Sequence, residues 1–281
     1  MNKWLIGARP RTLPAAVAPV LVATALAGSQ WKPLQALLAL GVSLSLQVGV
    51  NYANDYSDGI RGTDNSRIGP TRLTATGLAT ASSVRNAALI SFACAALIGL
   101  ALASMTSWWL LLVGALSIAA AWGYTGGAKP YGYLGLGEIS VFTFFGVIAT
   151  MGTYFVQTEV ITLQSFIVSI PMGSLACAIL AINNTRDRAQ DLLVGKKTLA
   201  VRLGDRGARA LFVFLLASAH IFALLTLQPG VLLTLLALPL TFTLAKDVLS
   251  GIQGAALIPL LAKTGKLQLV FSLLFSLGLL L

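Results

Sequence analysis

Residues 33–58 read PLQALLALGVSLSLQVGVNYANDYSD: a long apolar run, without a charge after Lys32, that ends in the polar cluster Asn54-Asp-Tyr-Ser-Asp58. Its apolar part, residues 33–53, has the ~20 residues a helix needs to cross a bilayer. The polar end then falls where the helix leaves the hydrocarbon. Carboxylates at such a place are expensive to keep near lipid and usually have work to do.

The same pattern repeats along the chain. Apolar runs at 12–29, 33–53, 85–105, 108–125, 137–157, 161–182, 208–227, 230–246 and 263–281 predict about nine transmembrane helices. The 281 residues are 57% hydrophobic and 10% charged, against about 25% charged in soluble domains. The fold class is therefore all-α, a polytopic membrane bundle forming one domain over residues 1–281 with no linker. The first apolar run follows Arg9-Pro-Arg11 and is expected to stay as the first span rather than be cleaved as a signal.

Charge sets the orientation. Of the 19 Lys and Arg residues, all but Lys32 fall on the side that carries the N-terminus. Basic residues gather on the cytoplasmic side, so the N-terminus is expected there. The net charge of +10 is thus mainly topology, and nucleic acid is not an expected partner; the lipid bilayer is. Cys94 and Cys177 lie in separate spans with no metal or disulfide spacing. His220, the single histidine, is expected to make a helix–helix contact. The two long polar segments, 55–84 and 184–207, are expected to fold as short helices capping the cytoplasmic face.

Six of the nine acids (Asp55, Asp58, Asp64, Asp187, Asp191 and Asp205) sit in those two segments. Asn54 and Asp58 are four apart, as are Asn183 and Asp187, and Asp187 and Asp191. On a helix each pair shares a face. An offset of 129 residues superposes Asn54 and Asp58 on Asn183 and Asp187, which hints at two equivalent halves. Facing stripes of this kind form an oxygen-rich cage suited to Mg²⁺ and a diphosphate. The plainer alternative is that these acids cap helices and pair with neighbouring bases, which suits Asp205 and Asp247 well. Asp55 points about 100° away from Asn54 and is left between a supporting role and an ion pair with a loop arginine.

A third cluster, Tyr124-Thr-Gly-Gly-Ala-Lys129-Pro-Tyr-Gly-Tyr133, joins the fourth and fifth spans. It reads either as a tight turn with interfacial tyrosines or as a site in which Lys129 meets a phosphate and aromatic faces shelter a cation.

At these residues the chain resembles the UbiA-type family of intramembrane aromatic prenyltransferases. The resemblance rests on Ala8-Arg-Pro-Arg-Thr-Leu-Pro14, Asn54-Asp-Tyr-Ser-Asp58 with Asp64, Arg67-Ile-Gly-Pro70, Tyr124-Thr-Gly-Gly127, Gly135-Leu-Gly-Glu138, and Asn183-Asn-Thr-Arg-Asp187 with Asp191 and Gly195-Lys-Lys-Thr-Leu-Ala-Val-Arg-Leu-Gly204. It implies that Asn54, Asp58, Asp187 and Asp191 hold Mg²⁺ and diphosphate, with Asp64 a further metal ligand. Position 62 is Gly where the family pattern has a third acid. Lys129, Arg67, Arg72, Lys196 and Arg186 become the implied phosphate contacts, and Tyr124 lines the substrate site. The implied reaction moves a polyprenyl group from its diphosphate to 1,4-dihydroxy-2-naphthoate with loss of CO₂, giving a demethylmenaquinone in a bacterial plasma membrane. Another aromatic acceptor, 4-hydroxybenzoate or homogentisate, stays open. So does a cation-coupled transporter, although transporters set their acids near the midplane.

Overall fold

The computed structural model describes residues 2–64, 69 and 71–281. It is helical throughout, with no strand among the described residues. A short helix α1 (Lys3–Ala8) leads into α2 (Pro14–Ala27), α3 (Pro33–Ile60), α4 (Ala81–Met105) and α5 (Leu110–Gly123). These are followed by α6 (Gly137–Thr158), α7 (Leu163–Leu193), α8 (Leu199–Leu224), α9 (Pro229–Leu249) and α10 (Gly254–Leu280).

Among the described residues, seven of these helices are long and apolar enough to cross a membrane. The N-terminal pair, bent by 50°, makes an eighth if it counts as one span, and α5 is a shorter apolar helix at the fourth expected span. Each of the nine expected spans thus has a helix, and the protein is an integral membrane protein. The bend has a local cause: Pro10 and Pro14 interrupt the ladder, and Arg9 between α1 and α2 takes the left-handed conformation at φ 51°.

The expected cap of loop helices is only partly realised. Both acidic clusters lie inside continuous helices, because α3 and α7 are longer than the membrane requires. At 1.5 Å per residue, the 31 residues of α7 span roughly 46 Å, against about 30 Å of hydrocarbon. The described residues between α3 and α4 form turns. Gly204, at φ 70°, separates residues 199–203 from the rest of α8 as one short cap helix.

Helix α7 is the most enclosed span. Its Met172, Leu175, Ala178 and Ile182 pack with Ala18 and Val22 of α2, Phe212 and Leu216 of α8, and Phe271 and Phe275 of α10. Lipid tails are as apolar as leucine, so close backbone approach does much of the work of joining helices. Gly146 of α6 and Gly173 of α7 meet backbone to backbone, where a Cβ on Gly146 has no room. Gly146 itself lies in a π-helical stretch, Phe142–Ile148. A second core joins Tyr52 and Ala53 of α3, Val84, Ala88 and Phe92 of α4, and Ala121 of α5. His220 bridges α8 to α9 through its Nε2, 3.0 Å from the Thr241 hydroxyl, as the sequence led one to expect.

Candidate active site

Between the two cores lies a cavity of about 860 Å³. Asn54, Asp58, Asn183, Asp187 and Asp191 all line one end of it, with Arg72 and Lys196. The two stripes, distant in sequence, therefore share one mouth. From there the cavity follows α3 as far as Ala39, fifteen residues or roughly 22 Å away along the helix. Its walls change from carboxylates and cations to Leu102, Val113, Ile148 and Val156.

Asp58 is held from three separate segments. Its Oδ1 accepts a short hydrogen bond from the Tyr133 hydroxyl and lies 3.2 Å from Lys196 Nζ. Its Oδ2 is 3.8 Å from Arg72 Nη2. The Lys196 ammonium also sits over the Tyr133 ring, 4.5 Å from the centroid, a cation–π contact strengthened by burial. Burial first, and the Asp58 carboxylate second, push the Tyr133 hydroxyl well above its ordinary range. It therefore remains a donor. Asn54, one turn earlier on α3, accepts at Oδ1 from Thr125 Oγ1 at 2.7 Å.

The second stripe is gripped differently. Arg186 donates through Nε and Nη2 to the two oxygens of Asp187, each at 2.7 Å. This planar fork is the strong form of a carboxylate contact. The backbone N–H of Lys196 donates to the Asp191 carbonyl at 2.8 Å, which anchors the lysine between the stripes.

Tyr124 lines the cavity with Tyr131 and Tyr133. The rings of Tyr124 and Tyr131 meet edge to face, centroids 5.6 Å apart.

Other expected residues stand elsewhere. Lys129 is exposed on its turn and does not line the cavity. Arg61 bonds to the Thr125 and Gly127 carbonyls of the same turn. Asp64 is buried 2.9 Å from Arg72 Nε and lies outside the cavity lining. Arg186 acts on Asp187 rather than facing the main cavity. Arg67 falls outside the described residues. Asp55 takes the supporting role: its carboxylate accepts from the Leu73 and Thr74 amides at 2.8 and 2.9 Å and pins the α3–α4 connection. Asp205 pairs with Arg209 and Arg188, as an ordinary helix-end acid does.

Several contributors escaped the sequence reading. Tyr133 was visible only as one of three loop tyrosines, and its bond to Asp58 spans 75 positions. Arg9 and Arg11 line the cavity beside a network in which Asn51 Nδ2 donates to the Ala8 carbonyl and the Thr12 hydroxyl. The motif Arg9-Pro-Arg11 was their only signal.

The donor set suits a hard cation shared with phosphate. Among the described residues, no group of three acidic, His or Cys side chains could hold a metal ion alone. Mg²⁺ rarely needs one, since it keeps waters and takes one or two carboxylates plus substrate phosphates. Oxygen donors from two helices at one mouth, bordered by buried Lys196 and Arg72, fit that mode.

Comparison with known proteins agrees with this geometry. Residues 16–278 match the UbiA prenyltransferase family. The chain is 49% identical to a 1,4-dihydroxy-2-naphthoate octaprenyltransferase of Mycobacterium tuberculosis, covering 96% of this chain and 94% of that protein. It is 40% identical to the Escherichia coli protein of the same description, covering 98% and 94%. In fold it is similar to a UbiA homolog from Archaeoglobus fulgidus bound to GPP and Mg²⁺, with TM-score 0.73, 14% identity and 99% of each chain covered. An apo UbiA homolog from Aeropyrum pernix K1 also gives 0.73, at 15% identity and covering 95% and 96%.

Proposed function

The chain belongs to the UbiA prenyltransferase family, and from that premise we propose that it transfers a polyprenyl group from its diphosphate to 1,4-dihydroxy-2-naphthoate. The observation that carries this reading is the single cavity with a carboxylate-and-cation mouth and an apolar interior. A prenyl diphosphate has the same division into charged head and apolar tail.

Asn54, Asp58, Asp187 and Asp191 are the residues that would hold Mg²⁺, which when bound neutralises the diphosphate and makes it a better leaving group. Lys196 and Arg72, beside Asp58, complement the remaining phosphate charge. As the C–O bond breaks, the bonding pair leaves with diphosphate and the isoprenoid becomes an allylic cation. The faces of Tyr124 and Tyr131 stabilise that cation, and the apolar walls keep water from it. The electron-rich ring then forms the new C–C bond at the carbon bearing the carboxylate. CO₂ departs, returning its bonding pair to the ring, and the product is a demethylmenaquinone at the quinol level. The basic asymmetry of the sequence supports a cytoplasmic mouth. A transporter is disfavoured because α7 runs unbroken to Leu193, whereas transporter sites use interrupted helices at mid-membrane.

The test is a detergent-solubilised assay with Mg²⁺, a polyprenyl diphosphate and, in separate tubes, dihydroxynaphthoate and 4-hydroxybenzoate, read by product mass. A prenylated naphthalene without its carboxylate is expected. A prenylated hydroxybenzoate that keeps its carboxylate would overturn the acceptor and keep the chemistry.

A further inference from the structure

Glycine weakens a helix interior relative to alanine, so helical glycines usually answer a packing need. Most in this bundle do. A methyl group at Gly41 would press on Ile98, at Gly49 it would strike the Phe92 ring, and at Gly146 the Gly173 backbone. Gly99 of α4, Gly114 of α5 and Gly152 of α6 differ. A methyl on any of them meets nothing within 4 Å, and none has a positive φ. Neither packing nor backbone conformation calls for glycine there.

All three line the same cavity, on three different helices. The depth of Gly99 follows from the α3–α4 pair: Gly41 faces Ile98, which sets Gly99 thirteen residues along α3 from Asn54, roughly 20 Å from the mouth. Gly114 and Gly152 each lie one helical turn from Leu110 and Val156, which pack at the same depth. Ala39, Leu102 and Val156 close around this deep end as a small apolar cluster.

We infer that Gly99, Gly114 and Gly152 keep this lumen wide for the distal isoprene units of the donor, and so set the length of tail the enzyme accepts. The inference rests on the transferase reading above and adds specificity residues to it. A side chain at any of the three would narrow the channel beyond the first isoprene units and leave the mouth intact. Lipid acyl chains share the chemistry of the tail, but a lumen that merely held lipid would not discriminate donors by length.

The experiment compares wild type with Gly99→Leu, Gly114→Leu and Gly152→Leu, each with an alanine counterpart, as full-length protein in detergent. Transfer to dihydroxynaphthoate is measured with geranyl and octaprenyl diphosphates, alongside the Tm shift each donor induces in the absence of acceptor. In each leucine variant the octaprenyl-to-geranyl ratio of kcat/KM is expected to fall about tenfold or more, with alanine in between and the octaprenyl-induced Tm shift reduced. An unchanged ratio and unchanged Tm shifts would overturn the inference. A leucine variant that fails to fold would also overturn it, because the space would not be open. Wild type that transfers neither donor would remove the transferase reading, and the Tm shifts would then decide the lumen separately.

Discussion

The ends of α3 and α7 carry the same Asn-x-x-x-Asp spacing, yet they are held in different ways. Asp58 of α3 is a meeting point for Tyr133, Lys196 and Arg72, which come from three other segments. Asp187 of α7 is clasped by its own neighbour Arg186. One carboxylate ties separate segments together at the mouth; the other is held in a planar fork by the residue just before it. Equal spacing thus places equivalent oxygens, while the surrounding loops decide how much of the site depends on each.

Removing either carboxylate is the most severe way to probe this difference. Asp58→Ala and Asp187→Ala are each expected to lower Mg²⁺-dependent turnover by about a thousandfold. Asp58→Ala leaves the buried Lys196 ammonium without its carboxylate, whereas Arg72 keeps Asp64; a cost of about 3–5 kcal/mol is expected, and thermal melts with turnover assays check it. Next in size is the lysine pair. Lys196→Met is expected to reduce kcat/KM about a hundredfold and Lys129→Met by less than about twofold, given buried and exposed positions respectively; steady-state kinetics with varied donor separate them. Tyr133→Phe removes one hydrogen bond to a charged group and is expected to cost about tenfold in rate. Because the Tyr133 hydroxyl is pushed upward it stays protonated as pH rises, so the pH–rate profiles of wild type and Tyr133→Phe should run parallel to about pH 10. The smallest catalytic effect is expected from Asp55→Ala, which leaves two amides unpaired. It should lower stability by about 1–3 kcal/mol per amide and alter turnover far less than Asp58→Ala.

Local spacing made the fold readable, and it put four polar side chains on two helix faces that line one cavity. Asn54, Asp58, Asp187 and Asp191 could be placed because a helix converts intervals of four into a shared face. The nine spans could be placed because lipid demands long apolar helices. The partners of those carboxylates were not readable in the same way. Lys196 reaches Asp58 across 138 positions, and no periodicity records such a pairing. Lys129 was a phosphate contact implied by the resemblance, but it stands exposed on its turn, outside the cavity lining. The two polar segments looked like loops because their charge dilutes the apolar pattern; on α3 and α7 the helix simply continues past the membrane.

In the proposed site both helix ends act on one ligand. Calorimetric titration of the purified protein with inorganic diphosphate, with and without Mg²⁺, tests this directly. Wild type is expected to bind only with Mg²⁺ present, and both Asp58→Ala and Asp187→Ala to lose that binding. Undiminished Mg²⁺-dependent binding in either variant would contradict a shared mouth.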